Sequence, residues 1–518
     1  MDNYSSDNRR LAKNTLLLYM RTLLTMAISL YTSRLVLATL GVDDYGIYNV
    51  VGSVVTMFAF LRSVMGNATH RYIAYHLGKG DIERLKTVFS TTIILHFFLA
   101  LLFFLLAEVV GLWLLYNKLV IPPERLTVAF WVFQFSVATT ALSILCVPYD
   151  AEIIAHEKLS AFAYLGILDA VLKLFGILLI SYISCDKLFL YGAMLLSIQM
   201  LNRLIYGHYC KKHFVEATFK FIRDRKLGKE MLSFASWNLV GHMSSAISSQ
   251  GRSIVMNMFF GVAANAAQGV AASVQGIVNM FVANFQMAVN PQITKKYAIG
   301  DINRVFTLVF SSSKLSFYLY LLIGLPLFLE IYQVLDVWLV EVPEHTANFI
   351  RIVLFTLSTD AFFLPLNTTC LATGKTKLFL TVRGVTNLSM LLVSYTILRL
   401  LGGEPEIMYM VTASISFISI FIQLRILSPI INLPISLYLK KVIAPVAKVF
   451  LLSTPLPVLV YYLMPSQGIL PFLVVCFSSV ASVASVVYLL GVSEGERIMI
   501  NGYLQRIKGF FRLKNSNK

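Results

Sequence analysis

Gly80-Asp81-Ile82-Glu83-Arg84 returns 220 residues later as Gly300-Asp301-Ile302-Asn303-Arg304. The same shift carries Gly41-Val42 onto Gly261-Val262, and a shift of 217 carries Pro148, Ala155, Lys158 and Phe162 onto Pro365, Ala372, Lys375 and Phe379. These matches fall between apolar segments, and they keep a near-constant offset, as an internal duplication would. Each shift passes over six apolar segments and so preserves topology. The expected fold is two six-helix lobes related by a pseudo-twofold axis along the membrane normal, with two further C-terminal helices outside the repeat.

Outward from the repeat, composition sets the solvent. The 518 residues are 57% hydrophobic and 13% charged, and mean hydropathy is +0.74; soluble domains carry about 25% charged residues. Runs of the roughly 20 apolar residues that a spanning helix needs recur from Leu16 to Leu490. We read an all-α integral membrane protein with about 14 transmembrane helices. The spans fall near 15–40, 46–66, 87–115, 126–147, 161–184, 188–209, 231–260, 262–290, 305–329, 347–370, 378–401, 407–427, 442–463 and 470–490. The organisation expected is an N-terminal lobe over 1–210, a basic inter-lobe loop over 211–230 and a C-terminal lobe over 231–430. Two additional spans over 431–490 and a basic amphipathic tail over 491–518 follow.

The formal charge is +17, but the basic residues sit in short loops beside lipid headgroups, which excludes a nucleic-acid-binding domain. Loop lysines and arginines lie almost wholly on the side of the termini, densest at Lys211, Lys212, Lys220, Arg223, Arg225, Lys226 and Lys229; the other side holds only Lys118, Arg125 and Lys187. Positive charge stays in the cytoplasm, so both termini are expected there, in a multi-pass inner-membrane protein. The polar N-terminus with Arg9, Arg10 and Lys13 reads as the start of an uncleaved first span. Residues 503–512 mix aromatic and basic side chains, which suits a short helix on the cytoplasmic leaflet. Five scattered cysteines lack metal-ligand spacing and read as apolar fillers.

Ionisable groups at membrane depth are costly and each needs a reason. The basic ones are Arg21, Arg34, Arg62, Lys173, Arg203, Arg252, Lys314, Arg351, Arg399, Arg425 and Lys448, against only Glu108, Asp169 and Asp360. Arg203, Arg351, Arg399 and Arg425 lie near span ends and can snorkel. Arg21, Arg34, Arg62 and Arg252 fall in spans 1, 2 and 7 and are the candidate substrate residues, because arginine offers bidentate donors to phosphate and keeps its charge when desolvated. Asn265, Gln268, Gln275, Asn279, Gln286 and Asn290 share one face of span 8, joined by Ser236, Asn238, Ser244, Ser245, Ser248, Ser249 and Gln250 on span 7. Such a face lines either water or another helix. Asp169 and Lys173, four apart on span 5, form either a neutral pair or, with Asp360, an ion-coupling site. His96 and His242 read as packed. Gly374-Lys375-Thr376 lacks the glycine loop of a nucleotide site, so no cofactor is expected, and a proton gradient, a sodium gradient or the membrane potential would drive the cycle.

Ser33-Arg34-Leu35, Leu40-Gly41, Tyr45-Gly46-Ile47-Tyr48, Asn67 to Arg71 and Gly80-Asp81 resemble the Wzx-type polysaccharide flippases of the multidrug/oligosaccharidyl-lipid/polysaccharide transporter superfamily. The resemblance is specific over about residues 9–90. It implies an undecaprenyl-pyrophosphate-linked oligosaccharide as cargo for cell-surface polysaccharide biosynthesis (O-antigen, capsule or exopolysaccharide), with other polysaccharide-export proteins as partners. It also implies N-terminal-lobe arginines that meet the pyrophosphate, with Arg34 and Arg62 ahead of Arg21 and Arg252. A drug/cation antiporter of the same fold would favour carboxylates at membrane depth. A glycan polymerase or ligase would favour a large periplasmic loop, whereas the longest on that side is only about Glu330 to Thr346. A transporter rather than an enzyme is therefore expected.

Overall fold

The computed structural model describes residues 2–58, 60–156, 158–219, 224–373, 377–465, 468–494 and 496–497. The tail at 503–512, Gly374-Lys375-Thr376, Lys220 and Arg223 lie outside the described residues, as do the side chains of Arg9, Arg10, Lys13, Asn67, Ser236, Asn238 and His242.

The chain is built from helices. They are α1 (Asp2–Thr56), α2 (Phe60–Lys79), α3 (Ile82–Leu106), α4 (Leu112–Asn117), α5 (Leu126–Ala155), α6 (Leu159–Ser181), α7 (Lys187–His213) and α8 (Arg225–Ala298). Then come α9 (Ile302–Leu329), α10 (Ile331–Trp338), α11 (Thr346–Thr373), α12 (Lys377–Leu401), α13 (Glu406–Ile431), α14 (Ile435–Tyr438), α15 (Ala444–Ser453), α16 (Pro455–Leu463) and α17 (Ile469–Val486). Large apolar side chains such as Phe97, Phe98, Trp113, Leu179 and Tyr182 are turned outward, as they are where lipid is the solvent.

Twelve helices among the described residues are long and apolar enough to cross a membrane. The expected count of about fourteen is larger by two, and the difference lies at two glycines. Gly41 (φ 78°, ψ 173°) sits inside α1 and Gly261 (φ 74°, ψ −165°) inside α8. Only glycine adopts this backbone region readily, since a Cβ would be strained there, so each helix changes direction with no intervening loop. Contacts of α1 show the reversal. Arg21 lies against Phe162 and Gly166 near the start of α6; Asp44 shares Arg125 with Asp186, beyond the end of α6; and Arg62, on α2, returns to Asp150 within electrostatic reach of Arg21.

The duplicated positions match in backbone detail. Gly80 and Gly300 have φ of 71° and 76°. Asp81 and Asp301 then cap the next helix, accepting from the amides of Arg84 at 2.9 Å and Arg304 at 3.1 Å, which satisfies one N–H that a helix start leaves unpaired. Pro148 and Pro365 each lie within a helix, α5 and α11.

Contacts divide the chain into two units: Met1–Ser273 with Asp336–Phe349 and Thr381–Val411, and Val274–Leu335 with Ile350–Leu380 and Thr412–Lys518. In the first, the second arm of α1 packs on α3 and α5 through Val50, Val54, Phe103, Val132 and Phe133. In the second, α17 packs on α9. There Lys314 meets Glu496 at 3.1 Å and Tyr318 donates to the Gly491 carbonyl at 3.1 Å, so one base expected at membrane depth has an acid.

Arg125 bonds both Asp44 and Asp186. Burial works to raise the Asp186 carboxyl, but the Arg125 bond, the Phe189 amide and the Arg125 charge outweigh it and hold it below its ordinary value. A depressed carboxylate contributes stability that is complete above pH about 4 and is lost as pH falls through the lower folded value. Arg125→Gln should therefore melt below the parent at neutral pH and lose less on acidification to pH about 3. Parallel melting curves against pH would contradict this.

Candidate substrate site

The first unit gathers charge where the first arm of α1, the end of α5, the first half of α6, the second half of α7 and the start of α2 meet. Helix α5 continues through Pro148 to Ala155 and thereby carries Tyr149 and Asp150. Arg62 Nη2 lies 3.6 Å from Asp150 Oδ2. Helix α1 turns aside at Met57–Phe58 and the chain resumes at Phe60 as α2, which puts Arg62 in the first turn of a helix whose unpaired N–H groups favour an anion.

Arg21 lies flat on α6. Its guanidinium is 4.5 Å from the Phe162 ring centroid, and a Cβ at Gly166 would stand 2.6 Å from its Nε and Nη2, so the close approach requires glycine there. Arg21 Nε is buried with no hydrogen-bond partner among the described residues. Arg203, on α7, donates to Tyr149 Oη at 3.0 Å and stands 4.2 Å over the Tyr149 ring. Arg62, Arg203 and Asp150 all act electrostatically on Cys146, and Arg21, Asp150 and Asp169 on Tyr206, so these groups form one neighbourhood. Asp169 accepts from Lys173 Nζ and from Asn202 Nδ2, each at 2.8 Å, a locally neutral pair. Three guanidiniums therefore share this neighbourhood with Asp150, which pairs with Arg62, while Glu152 and Glu216 act with Arg203 and Asp150 on Cys210 at its edge.

Asp150 was not expected here. Ending span 4 at 147 leaves Asp150 and Glu152 as loop acids, but the helix continues and brings both onto α5. The apolar spacing Val147, Ala151, Ile154 carries this continuation.

The other candidates lie elsewhere. Arg34 Nη1 donates to the Val337 carbonyl at 3.1 Å, next to a bond from Trp338 Nε1 to the Leu30 carbonyl; it does not join Arg21 and Arg62. Arg252 stands 5.3 Å over the Tyr409 ring. On the polar face of α8, Asn265 donates to the Ser253 carbonyl and Oγ across the Gly261 bend. Asn279 accepts from Tyr320 at 2.8 Å, Gln286 donates to Ser316 at 2.6 Å, and Asn290 accepts from Thr368 at 2.9 Å. Each of these side chains has a hydrogen-bond partner within the protein. Gln268 keeps a buried Oε1 with no partner among the described residues, and Gln275 is half-buried. Ser245 accepts from Asn387 at 3.1 Å, His96 is buried on the Thr92 carbonyl, and Asp360 lies within electrostatic reach of Tyr320 in the second unit.

Residues 19–117 match the MatE family model. No curated protein sequence matches the chain. Among solved structures, the lipid II flippase MurJ in an inward closed conformation is similar with TM-score 0.71 at 13% identity, covering 92% of this chain and 98% of that one. An inward-facing multidrug resistance MATE family transporter of the MOP superfamily is similar with TM-score 0.67 at 14% identity, covering 80% and 94%. A MATE transporter of Vibrio cholerae gives TM-score 0.58 at 17% identity, covering 83% and 98%. This multi-pass membrane chain thus has the fold of the MOP-superfamily transporters, with a MatE-matched segment at its N-terminal end.

Proposed function

We propose that the chain is a flippase that carries an undecaprenyl-pyrophosphate-linked oligosaccharide from the cytoplasmic to the periplasmic leaflet of a bacterial inner membrane, by alternating access and with both termini cytoplasmic. The observation that carries this reading is the grouping of Arg21, Arg62 and Arg203, with a buried Arg21 Nε that has no hydrogen-bond partner among the described residues. A pyrophosphate diester brings two negative charges, and the unpartnered Arg21 Nε offers it a donor. An isolated charge in hydrocarbon costs tens of kcal/mol by Born estimates, so an anionic cargo needs such a site. Cationic cargo needs the reverse polarity.

The lipid II flippase structure also covers more of this chain than the multidrug transporter does, 92% against 80%, which supports a lipid-linked cargo. The repeated glycine and cap geometry supports two copies of six spans, 1–210 and 231–430, with 431–490 added. Coupling to a proton or sodium gradient would rest on Asp169 with Lys173, or on Asp360.

The test is expression in a strain lacking its polysaccharide flippase, scored for surface glycan and for resistance to cationic drugs. Restored glycan with unchanged drug resistance is the expected outcome. Raised drug resistance without glycan would favour the antiporter.

A further inference from the structure

Glu152 in the last turn of α5, His156 at its C-terminal cap and Glu216 in the segment after α7 bring one ligand atom each within 4.8 Å of one another. His156 Nε2 bonds Glu216 Oε1 and lies 3.7 Å from Glu152 Oε2. The His156 ring is stacked on Phe214 with centroids 4.2 Å apart and planes 10° apart, which fixes the direction of Nε2. Glu152 is 0% exposed, and both of its carboxylate oxygens lack a hydrogen-bond partner among the described residues. A buried carboxylate without donors is expensive, and the imidazole alone cannot serve four oxygens on two carboxylates.

A cation at the common centre resolves the cost. Two carboxylates and one neutral imidazole carry two negative charges, which a divalent ion balances. A mixed nitrogen and oxygen donor set suits zinc or manganese, whereas magnesium and calcium take oxygen ligands almost throughout. We propose that Glu152, His156 and Glu216 bind a divalent transition-metal ion that ties the end of α5 to the segment following α7. This site adjoins the arginine cluster, since Glu152 and Glu216 act with Arg203 and Asp150 on Cys210, but its test reads metal uptake and does not depend on what the chain transports.

The experiment uses the full chain purified in detergent, stripped with a chelator and dialysed against Zn2+ or Mn2+, with bound metal measured by mass spectrometry and melting followed in parallel. The expected result is about one ion per chain with a rise in melting temperature. Losing an outer-shell partner of a metal ligand costs about 10–100-fold in affinity, so Glu152→Gln and Glu216→Gln, which remove ligands, should each weaken uptake at least about tenfold. The control Glu83→Gln, on an exposed carboxylate paired with Lys86, should not. If a glutamine variant fails to fold, His156→Asn supplies the same reading. No uptake by the parent, uptake unchanged in the ligand variants, or stability that responds to pH and not to metal would overturn the proposal.

Discussion

Replacing Arg21 and Arg62 together by alanine should abolish surface-glycan export in the complementation assay while the protein remains in the membrane at parental abundance. Each guanidinium can supply a charge-assisted bond of roughly 1.5–3 kcal/mol. Two such bonds are worth about 3–6 kcal/mol, or roughly 10²–10⁴ in affinity. Lysine at both positions should restore only part of the activity, since it supplies charge without the planar fork. Arg62 also neutralises Asp150 at 3.6 Å, which offers a separate explanation for its loss. The double variant Arg62→Ala, Asp150→Asn distinguishes the two: if Arg62 only balances Asp150, export returns, whereas an anion-binding Arg62 leaves it lost.

Gly46→Ala should be the most damaging single-methyl change in the first unit. A Cβ there would stand 2.0 Å from the carbonyl oxygen of Val262, where α1 crosses α8 one residue beyond the Gly261 bend. The obstructing atom is backbone, so the two helices must separate. Overpacking a core ordinarily costs about 1–3 kcal/mol, and this site should fall at or beyond the upper end. Gly52→Ala on the same arm is the matched control, because nothing lies within 4 Å of its added methyl and the intrinsic gain of alanine in a helix is the same. Thermal melting of detergent-solubilised protein should show a large drop for Gly46→Ala and little or none for Gly52→Ala. Equal shifts would mean that the crossing is not tight.

The repeat was legible because it lies in residues whose identity the backbone dictates. Gly41 and Gly261 recur since each occupies a region closed to other residues, and Asp81 and Asp301 recur since each caps a helix. The Tyr45-Gly46-Ile47-Tyr48 stretch behind the family resemblance contains a glycine demanded by a helix crossing 216 positions away in sequence.

The site was legible only in part. Arg21 and Arg62 stood out as unmatched charge, but their neighbour Asp150 depended on where α5 ends, and span boundaries are blurred wherever apolar spacing runs past a proline. Arg34 looked equivalent to Arg62 in sequence and differs only in its partner, the Val337 carbonyl. The polar side chains of α8 were read as one face. Its use was not legible, because a water-lined wall and a row of interhelical hydrogen bonds share one periodicity; Asn279, Gln286 and Asn290 make the latter.

The most direct measurement is translocation in purified vesicles. The protein is reconstituted with a fluorescent polyprenyl-pyrophosphate-linked oligosaccharide, a proton gradient, a sodium gradient or a membrane potential is imposed, and the fraction reached by a membrane-impermeant reagent is followed over time. Protein-dependent movement between leaflets is expected under at least one of these gradients, lost in the Arg21→Ala, Arg62→Ala variant. An accessible fraction that is the same with and without protein under every gradient would contradict it.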